Sequence, residues 1–393
     1  MTFHIIGIPN KNPVFTKEQE LLIKQGKLFS GGKRHYNLVS DFLPENHTWI
    51  SISGPLQKIF KQYEKSKKPI LIFASGNPLF YGISNTLKNK FPKAIVHTFP
   101  SFSSIQVLAN KTNTNSNELI SVSVHGRTWK ALDEVIMQQF PLIGVLTDEK
   151  NNPKTIAERL LTHGYDNYSI SIGEDLDGEQ EHIQTITLEE AKTKTYHALN
   201  CVLLHKQSHK KQQFGISNSD FKGLEGRPNM ITKMPIRLTS LHYLDVLEIK
   251  TLWDVGFCTG SIAIDAKLRN PKLEVIAFEK RVECESILKE NTFRFGVLGI
   301  ESVMGDIFDC NLENYPKPDA VFIGGHGGRL TELIERISKI TTKGAILVIN
   351  AVQEKSKIDF ENTCIKHGFS ISETTNIKVD LHNPIRILQA IKQ

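Results

Sequence analysis

Two segments of this chain run from a short apolar strand directly into a glycine-containing loop. In residues 70–80, Ile-Leu-Ile-Phe breaks into Ala-Ser-Gly-Asn-Pro, and residues 253–261 read Trp-Asp-Val-Gly-Phe-Cys-Thr-Gly-Ser. In α/β proteins such loops follow the carboxyl ends of parallel strands, where glycine lets the backbone approach a small ligand closely. The chain is therefore expected to contain two α/β units that each bind a small molecule.

The length and the charge of the chain narrow the possibilities further. With 393 residues it can form two domains that each bury a core. Its net charge of +6 is not gathered into one basic face, so we expect no nucleic-acid partner. Residues 1–25 lack the pattern of a signal peptide, and no apolar run reaches the roughly 18 residues of a membrane span. We therefore expect a cytoplasmic protein with no membrane partner.

The five cysteines indicate neither a metal site nor a disulfide framework. They form no C-x-x-C pair and no Cys/His ligand spacing. Free thiols and the absence of a bound metal are the resulting predictions.

Strands and helices alternate in a pattern that is typical of mostly parallel sheets. We expect a two-lobed domain over residues 1–205, with lobes of about 1–100 and 101–205, then a polar linker over 206–225 and a doubly wound unit over 226–393. The predicted strands are 4–8, 28–30, 48–52, 70–73, 120–124, 142–146, 168–172, 201–205, 251–255, 274–278, 301–304, 320–323, 345–350, 369–373 and 385–391.

The loop that follows strand 251–255 has the features of a nucleoside site. Gly256 allows a sharp turn, and a helix that begins near Thr259 would present free amides to a ligand. Glu279 follows the next strand, where its carboxylate can accept hydrogen bonds from both ribose hydroxyls, and Asp306 is placed to contact the adenine. Because the G-x-G-x-x-G triplet is absent, we favour S-adenosylmethionine over NAD, and a turn without a ligand is the other alternative.

The second half resembles the decarboxylating precorrin-6B methyltransferase domains of cobalamin biosynthesis. Residues 226–233 (Gly-Arg-Pro-Asn-Met-Ile-Thr-Lys), 253–261 and 322–325 carry this resemblance. Cys258 stands where the family has glycine, and a reactive thiol is the alternative interpretation of that residue. The resemblance implies a Rossmann-like fold whose cofactor is held by Thr232, Gly256, Phe257, Cys258, Thr259, Gly260, Glu279, Asp306 and Ile307.

The first half resembles the tetrapyrrole methylases, specifically the branch that methylates C5 of a precorrin. Residues 31–35, 74–82, 100–104 and 125–127 match in that order. Asn77 stands where the family has aspartate, and the N-terminal glycine loop is reduced to Gly-Ile-Pro-Asn at residues 7–10. The resemblance implies a cofactor held between two α/β lobes by Gly76, Asn77, Pro78, Ser103 and Ser104.

Together the two halves resemble the bifunctional precorrin C5,15-methyltransferases. This implies methylation of an anionic corrin precursor at C5 and C15, decarboxylation of an acetate arm, two S-adenosylmethionine sites per chain and a homo-oligomer. Arginine and histidine are expected to bind the substrate carboxylates. The candidates are Arg34, His35, His125 and Arg127 in the first site and Arg227 and Arg329 in the second, where Lys233 and His326 are the catalytic candidates.

Several alternatives stay open at the level of sequence. The arginines can be solvated surface charges, the histidines can have structural partners, and His326 can be a loop residue without a chemical role. An RNA methyltransferase and a non-catalytic regulator that binds S-adenosylmethionine are the rival functions. The residues do not distinguish a cobalt-containing substrate from a metal-free one, and they do not give the order of the methylations.

Overall fold

A computed structural model of the chain describes residues 1–227, 230–379 and 384–393. Pro228 and Asn229 of the 226–233 motif lie outside the described residues. The chain folds into two compact units. The first comprises Met1–Arg127, Phe140–Glu158 and Tyr168–Gln207, and the second comprises Thr128–Gln139, Arg159–Asn167 and Ser208–Gln393.

The first unit opens with a parallel five-stranded sheet of order β3-β2-β4-β1-β5. Its strands are β1 (Thr2–Ile8), β2 (Leu28–Gly31), β3 (Thr48–Ser51), β4 (Ile70–Ser75) and β5 (Ile95–Phe99). The helices between them are α1 (Lys17–Gln25), α2 (Lys33–Val39), α3 (Leu56–Glu64) and α4 (Ile83–Lys90). The central strand β4 is apolar at four consecutive buried positions, as expected for a strand covered on both faces.

A second sheet of the first unit is mixed and has the order β6-β7-β10-β8-β9. Its strands are β6 (Leu119–Ser123), β7 (Leu142–Leu146), β8 (Tyr168–Glu174), β9 (His182–Thr187) and β10 (Asn200–Lys206). Strand β10 runs antiparallel to β7 and β8, whereas β6 and β7 are parallel. The helices in this part of the sequence are α5 (Ser104–Lys111), α6 (Lys130–Met137), α7 (Pro153–Thr162) and α8 (Leu188–Ala191).

The second unit contains a seven-stranded sheet of order β13-β12-β11-β14-β15-β17-β16. The strands are β11 (Thr251–Val255), β12 (Glu274–Glu279), β13 (Ile300–Met304), β14 (Ala320–Ile323), β15 (Ile346–Ala351), β16 (Phe369–Ile377) and β17 (Ile385–Lys392). The helices are α9 (Met234–Tyr243), α10 (Ser261–Arg269), α11 (Glu283–Phe295), α12 (Leu330–Ile340) and α13 (Glu354–Lys366). β11 is paired in parallel with β12 and β14, and the order changes direction at this strand. That topological switch point is where α/β sheets bind ligands.

The predicted α/β class is confirmed, with parallel pairing throughout the first sheet and from β13 to β15 in the third, whereas the second sheet is mostly antiparallel. Every predicted strand has a counterpart in the structure. Two strands were missed, β5 and β9. Both lie at the edge of a sheet and are largely exposed or half-buried, so their sequences lack a buried apolar run. None of the described helices combines the length and the apolar character that crossing a bilayer requires.

A fully buried ion pair joins the predicted linker region to the second unit. Arg237 on α9 and Asp265 on α10 are paired, and neither side chain is exposed to solvent. Arg237 also donates hydrogen bonds to the carbonyl oxygens of Thr232, at 2.7 Å, and Ile216. The predicted linker is therefore attached to α9 at Ile216, and the segment that holds Thr232 is attached to the same helix.

We expect Asp265→Asn to lower the free energy of unfolding by about 3–5 kcal/mol, because it leaves the buried Arg237 guanidinium without its counter-charge. Urea denaturation measures the change. The control is Glu285→Gln, which breaks an exposed pair with Lys289 and should cost no more than about 1 kcal/mol. Equal effects of the two substitutions would contradict the structural importance of the buried pair.

Candidate active sites

The first candidate site is a cavity of about 390 Å³ in the first unit. It opens beside the carboxyl ends of β1 and β4, which are paired in parallel. Of the predicted residues, it is lined by Gly76, Asn77, Ser103, Ser104, Arg34 and His125. The lining also includes residues of the second sheet of this unit, among them Leu146, Asn200 and Cys201.

The turn at Gly76 depends on glycine for two reasons. Its φ angle is +58°, a left-handed conformation that side chains other than glycine rarely adopt. A Cβ atom at this position would also lie 2.9 Å from the carbonyl oxygen of Phe102. Asn77 continues the turn, and its side-chain oxygen accepts a hydrogen bond from the Leu79 amide at 3.0 Å. This acceptor role does not require the negative charge of the aspartate that the resemblance implies here.

The predicted serines occupy the start of α5. Ser103 is the N-cap residue, and its hydroxyl accepts the amide of Gln106 while the Gln106 side chain accepts the Ser103 amide. Ser104 is the first helical residue and lines the cavity, whereas Pro78 lies outside the cavity lining. The amino terminus of α5 thus faces the cavity, and the Ser103 hydroxyl is already used to cap this helix.

Arg34 and His35 meet at one hydroxyl group. The Arg34 Nη2 donates to Ser75 Oγ at 2.7 Å, and His35 Nε2 lies 2.9 Å from the same oxygen. Burial, and secondarily the positive charge of Arg34, lower the pKa of His35 to about 4. The lowered pKa favours the neutral imidazole near pH 7, and His35 contacts Ser75 while lying outside the cavity lining.

The other two substrate candidates of this site differ in placement. His125 lines the cavity, and its Nδ1 lies 2.8 Å from the carbonyl oxygen of Thr147. Arg127 is outside the cavity lining and stacks over the ring of Tyr81, with 5.4 Å from the guanidinium carbon to the ring centroid. Arg127 thus lies with an exposed aromatic residue and is not one of the groups that line the cavity.

Asn10 is a cavity residue that the sequence reasoning did not select. Its side-chain oxygen accepts a hydrogen bond from Arg34, and its amide donates to Asp175 Oδ1 and to the Leu176 carbonyl oxygen, both at 3.0 Å. The reduced loop at residues 7–10 therefore uses a side chain to connect Arg34 to the end of β8. The only available signal was the asparagine that closes this loop.

The second candidate site consists of two neighbouring cavities in the second unit. The smaller, of about 140 Å³, is lined by Glu279, Asp306, Ile307, His326 and Arg329 among others. The larger, of about 490 Å³, is lined by Thr232, Lys233, Phe257, Cys258 and Thr259 among others. Gly256, Arg281 and Gly325 line both cavities. The two catalytic candidates, Lys233 and His326, therefore line different cavities of this site.

Gly256 makes a close approach between two loops possible. Its φ angle is +77°, and a Cβ atom here would lie 2.6 Å from the Gly325 amide nitrogen. Gly260 lies outside both cavity linings and serves as the N-cap of α10. Cys258 adopts a φ angle of 47° although it is not glycine, and its thiol contacts the carbonyl oxygen of Met230 at 3.2 Å. The loop thus keeps the left-handed conformation despite the substitution for glycine.

Glu279 is the buried acid at the end of β12, with 3% of its surface exposed. Its carboxylate accepts the backbone amides of Cys258, Lys280 and Arg281 at 2.9–3.1 Å. The Arg281 guanidinium lies 3.2 and 3.3 Å from its two oxygens. Asp306 lines the same cavity and accepts the Phe308 amide at 3.1 Å.

Asp254 is a second buried acid that the sequence reasoning did not select. It lines the larger cavity, is 1% exposed and accepts the amide of Ala263 at 3.2 Å. Burial, and secondarily the charge of Glu279, raise the pKa of Asp254 to about 7. Its position inside an apolar strand made it look like an ordinary strand residue in the sequence.

The remaining candidates of the second site differ in their contacts and in whether they line a cavity. His326 has a buried Nδ1 without a hydrogen-bond partner, and burial lowers the pKa of its imidazole. Arg329 is ion-paired with Glu332 at 2.6 Å and stacks on Phe308. Arg227 is exposed and lies outside both cavity linings, so the structure does not bring it to this site. Among the described residues, no cluster of histidine, cysteine and carboxylate side chains is arranged to hold a metal ion.

Comparison with known proteins identifies the family. Residues 226–391 match the family model described as "Precorrin methyltransferase domain". The chain is 30% identical over 369 residues to the precorrin-6Y C(5,15)-methyltransferase [decarboxylating] of Sinorhizobium sp, covering 93% of this chain and 86% of that protein. The chain belongs to this family of decarboxylating precorrin methyltransferases.

Two shorter relatives from Salmonella typhimurium each cover less of the chain. The cobalt-precorrin-6B C(15)-methyltransferase (decarboxylating) is 34% identical over 133 residues, which is 34% of this chain and 68% of that protein. The cobalt-precorrin-7 C(5)-methyltransferase is 30% identical over 161 residues, which is 41% of this chain and 78% of that protein. As a member of the family, this chain is a methyltransferase enzyme of cobalamin biosynthesis that uses S-adenosylmethionine.

We expect Cys258→Gly to leave the free energy of unfolding unchanged or to raise it by up to about 1 kcal/mol, because glycine adopts a positive φ angle without strain. Cys258→Val places a β-branched side chain at that φ angle and should lower the free energy of unfolding by about 1–3 kcal/mol. Urea denaturation compares both variants with Cys258→Ala. A valine variant as stable as the alanine variant would show that the loop relaxes out of the left-handed conformation.

The low pKa of His35 predicts a pH dependence of stability with a definite sign. The unfolded chain protonates this histidine at an ordinary pKa of about 6.5, whereas the folded protein resists protonation until about pH 4. Stability should therefore fall as the pH falls from about 6.5 to about 4. In urea denaturation at several pH values, His35→Gln should show a shallower fall than the wild type, and parallel curves would refute the assignment.

Proposed function

We propose that this chain methylates a corrin precursor at C5 in the first unit, and at C15 with decarboxylation of an acetate arm in the second. Each site takes one S-adenosylmethionine, so the chain carries two. The observation that carries the proposal is a cavity at the carboxyl ends of parallel strands in each unit. Each cavity is lined by a glycine, Gly76 or Gly256, at which a Cβ atom would collide with neighbouring backbone. The two shorter relatives, named for C5 and C15 methylation, support two activities in one chain.

The proposed division of the chain follows from this. Residues 1–205 form the tetrapyrrole methylase domain, 206–225 connect it to the rest, and 226–393 form the Rossmann-like domain. Three sheets with separate strand orders support the fold of the two domains. The predicted homo-oligomer and the predicted lack of a nucleic-acid partner stay predictions.

The residues of the second site fit an adenosyl group. Glu279 has buried carboxylate oxygens that suit ribose hydroxyls, and Asp306 and Ile307 line the same small cavity, which suits adenine. Gly256 and Gly325 line both cavities and add no side chains there. S-adenosylmethionine supplies an electrophilic methyl carbon when it is bound. Glu279 and Asp254 are the acidic side chains that would stabilise its cationic sulfur.

The substrate supplies its own nucleophile, so the chain needs no strong base. Lys233 in the wall of the larger cavity is suited to bind a peripheral carboxylate. Apolar walls formed by Phe257, Ile262 and Phe322 exclude water, which favours loss of carbon dioxide from a weakly solvated carboxylate. In the first site Arg34 offers the equivalent carboxylate-binding group, and His125 lines the same cavity.

Two substitutions should separate the two reactions. Glu279→Ala removes the ribose acceptor, so C15 methylation and decarboxylation should be lost while C5 methylation persists. Gly76→Val places a side chain against Phe102 and should abolish C5 methylation while the C15 reaction persists. Mass spectrometry of the corrinoid products, with both metal-free and cobalt-containing precursors, distinguishes the outcomes and identifies the accepted substrate.

Matched controls exclude general damage to the protein. Glu283→Ala removes an exposed acid near the second site, and Gly223→Val adds a side chain where no atom lies within 4 Å. Both should retain both reactions. Loss of both reactions in Glu279→Ala, with circular dichroism unchanged, would contradict two independent sites.

A further inference from the structure

Arg281 lies at the junction of the two cavities of the second unit. It lines both the 140 Å³ cavity and the 490 Å³ cavity, a position that it shares only with Gly256 and Gly325 among the described lining residues. Because the other two residues are glycines, Arg281 provides the one side chain with a charge at this junction. The position of its guanidinium therefore determines which cavity presents a positive charge to a ligand that spans both.

The contacts of Arg281 conflict with a ribose at the same place. Its guanidinium lies 3.2 and 3.3 Å from the two oxygens of Glu279, which already accept three backbone amides. A carboxylate has about four acceptor positions, so these donors saturate it. The backbone amides are fixed by the loops, whereas the Arg281 side chain is 31% exposed on a rotatable stem. Arg281 is thus the donor that ribose hydroxyls can displace.

We propose that Arg281 exchanges partners: it leaves Glu279 when ribose hydroxyls bind that carboxylate, and it then binds a carboxylate of the corrin precursor in the larger cavity. This rests on the proposed second S-adenosylmethionine site. Arg281 is then a substrate-binding residue that becomes available only after the cofactor has bound, so the cofactor binds first.

The composition of the larger cavity supports a carboxylate as the new partner. Among the described residues that line it, the cationic side chains are Lys233 and Arg281, and much of the remaining wall is apolar. A guanidinium released from Glu279 beside such a wall needs a new counter-charge, and a carboxylate binds it in bidentate fashion. Arg329 is less suited, because it is paired with Glu332 and lines only the smaller cavity.

The exchange predicts a thermodynamic coupling between the two ligands. S-adenosylhomocysteine should raise the affinity of the second site for the corrin precursor, and the precursor should raise the affinity for S-adenosylhomocysteine by the same factor. A fixed arginine that never leaves Glu279 would give no such coupling through this residue. The coupling is therefore the property to measure.

Isothermal titration calorimetry tests the proposal with the full chain and three ligands. These are S-adenosylhomocysteine, methylthioadenosine, which has the ribose but no carboxylate, and a corrin precursor. The binding event that Glu279→Ala removes is assigned to the second site. Arg281→Ala and Arg281→Lys are compared with Lys289→Ala, which removes an exposed cation that lines neither cavity.

We expect Arg281→Ala to bind both adenosyl ligands at least as tightly as the wild type, because a competitor for Glu279 is gone. Its affinity for the precursor in the presence of S-adenosylhomocysteine should fall about tenfold to a hundredfold, and the coupling should disappear. Arg281→Lys should recover part of this affinity, since it keeps the charge without the bidentate geometry. Lys289→Ala should behave as the wild type.

Four results would overturn the exchange. Weaker binding of S-adenosylhomocysteine but not of methylthioadenosine in Arg281→Ala would assign the arginine to the cofactor carboxylate. Unchanged precursor affinity in that variant would exclude the substrate contact, as would a wild type without coupling. If the wild type binds only one S-adenosylhomocysteine and Glu279→Ala removes none, the proposed second site itself fails, and the exchange fails with it.

Discussion

Backbone segments approach each other in both candidate sites so closely that a single Cβ atom would separate them. At Gly256 that atom would lie 2.6 Å from the Gly325 amide, and at Gly76 it would lie 2.9 Å from the Phe102 carbonyl oxygen. Gly76 follows a strand of a parallel sheet and Gly256 follows a strand with parallel neighbours in a mixed sheet, and loops converge on the ligand-binding edge of each. Where backbone forms the wall of a cavity, a ligand contacts amide and carbonyl groups, and few side chains contribute to ligand specificity. The same constraint therefore governs two sheets of different strand order.

In the second unit this constraint is linked to a buried charge. Glu279 accepts amides from the Cys258 loop and from its own loop, so one carboxylate holds the backbone of both. Burial makes such a charge costly unless donors surround it, and here the three amides and the Arg281 guanidinium serve as donors. The neighbouring Asp254 has fewer donors, and its pKa is raised to about 7, chiefly by burial. The two acids of this site thus differ in the number of donors that surround them.

One wall of the larger cavity depends on a buried ion pair between helices α9 and α10. Arg237 and Asp265 are buried together, and the arginine donates to the carbonyl oxygen of Thr232 in the wall of that cavity. The polar segment 206–225, which sequence reasoning treated as a connection, contributes the buried residues Ile216 and Phe221 to the same unit. Its apolar residues are too widely spaced to form a periodic pattern, and only the fold shows what they contact.

Sequence alone determined the α/β class, the position of nearly every strand, the two glycine loops and the family. Buried parallel strands are continuous apolar runs, and loops that need glycine must contain it, so both leave local patterns. The structure alone revealed that Lys233 and His326 line separate cavities, that Arg227 lies outside both, and that Asn10, Asp254 and Arg281 belong to the sites. These assignments depend on contacts between residues distant in sequence, and no local pattern encodes which side chains the folded chain brings together.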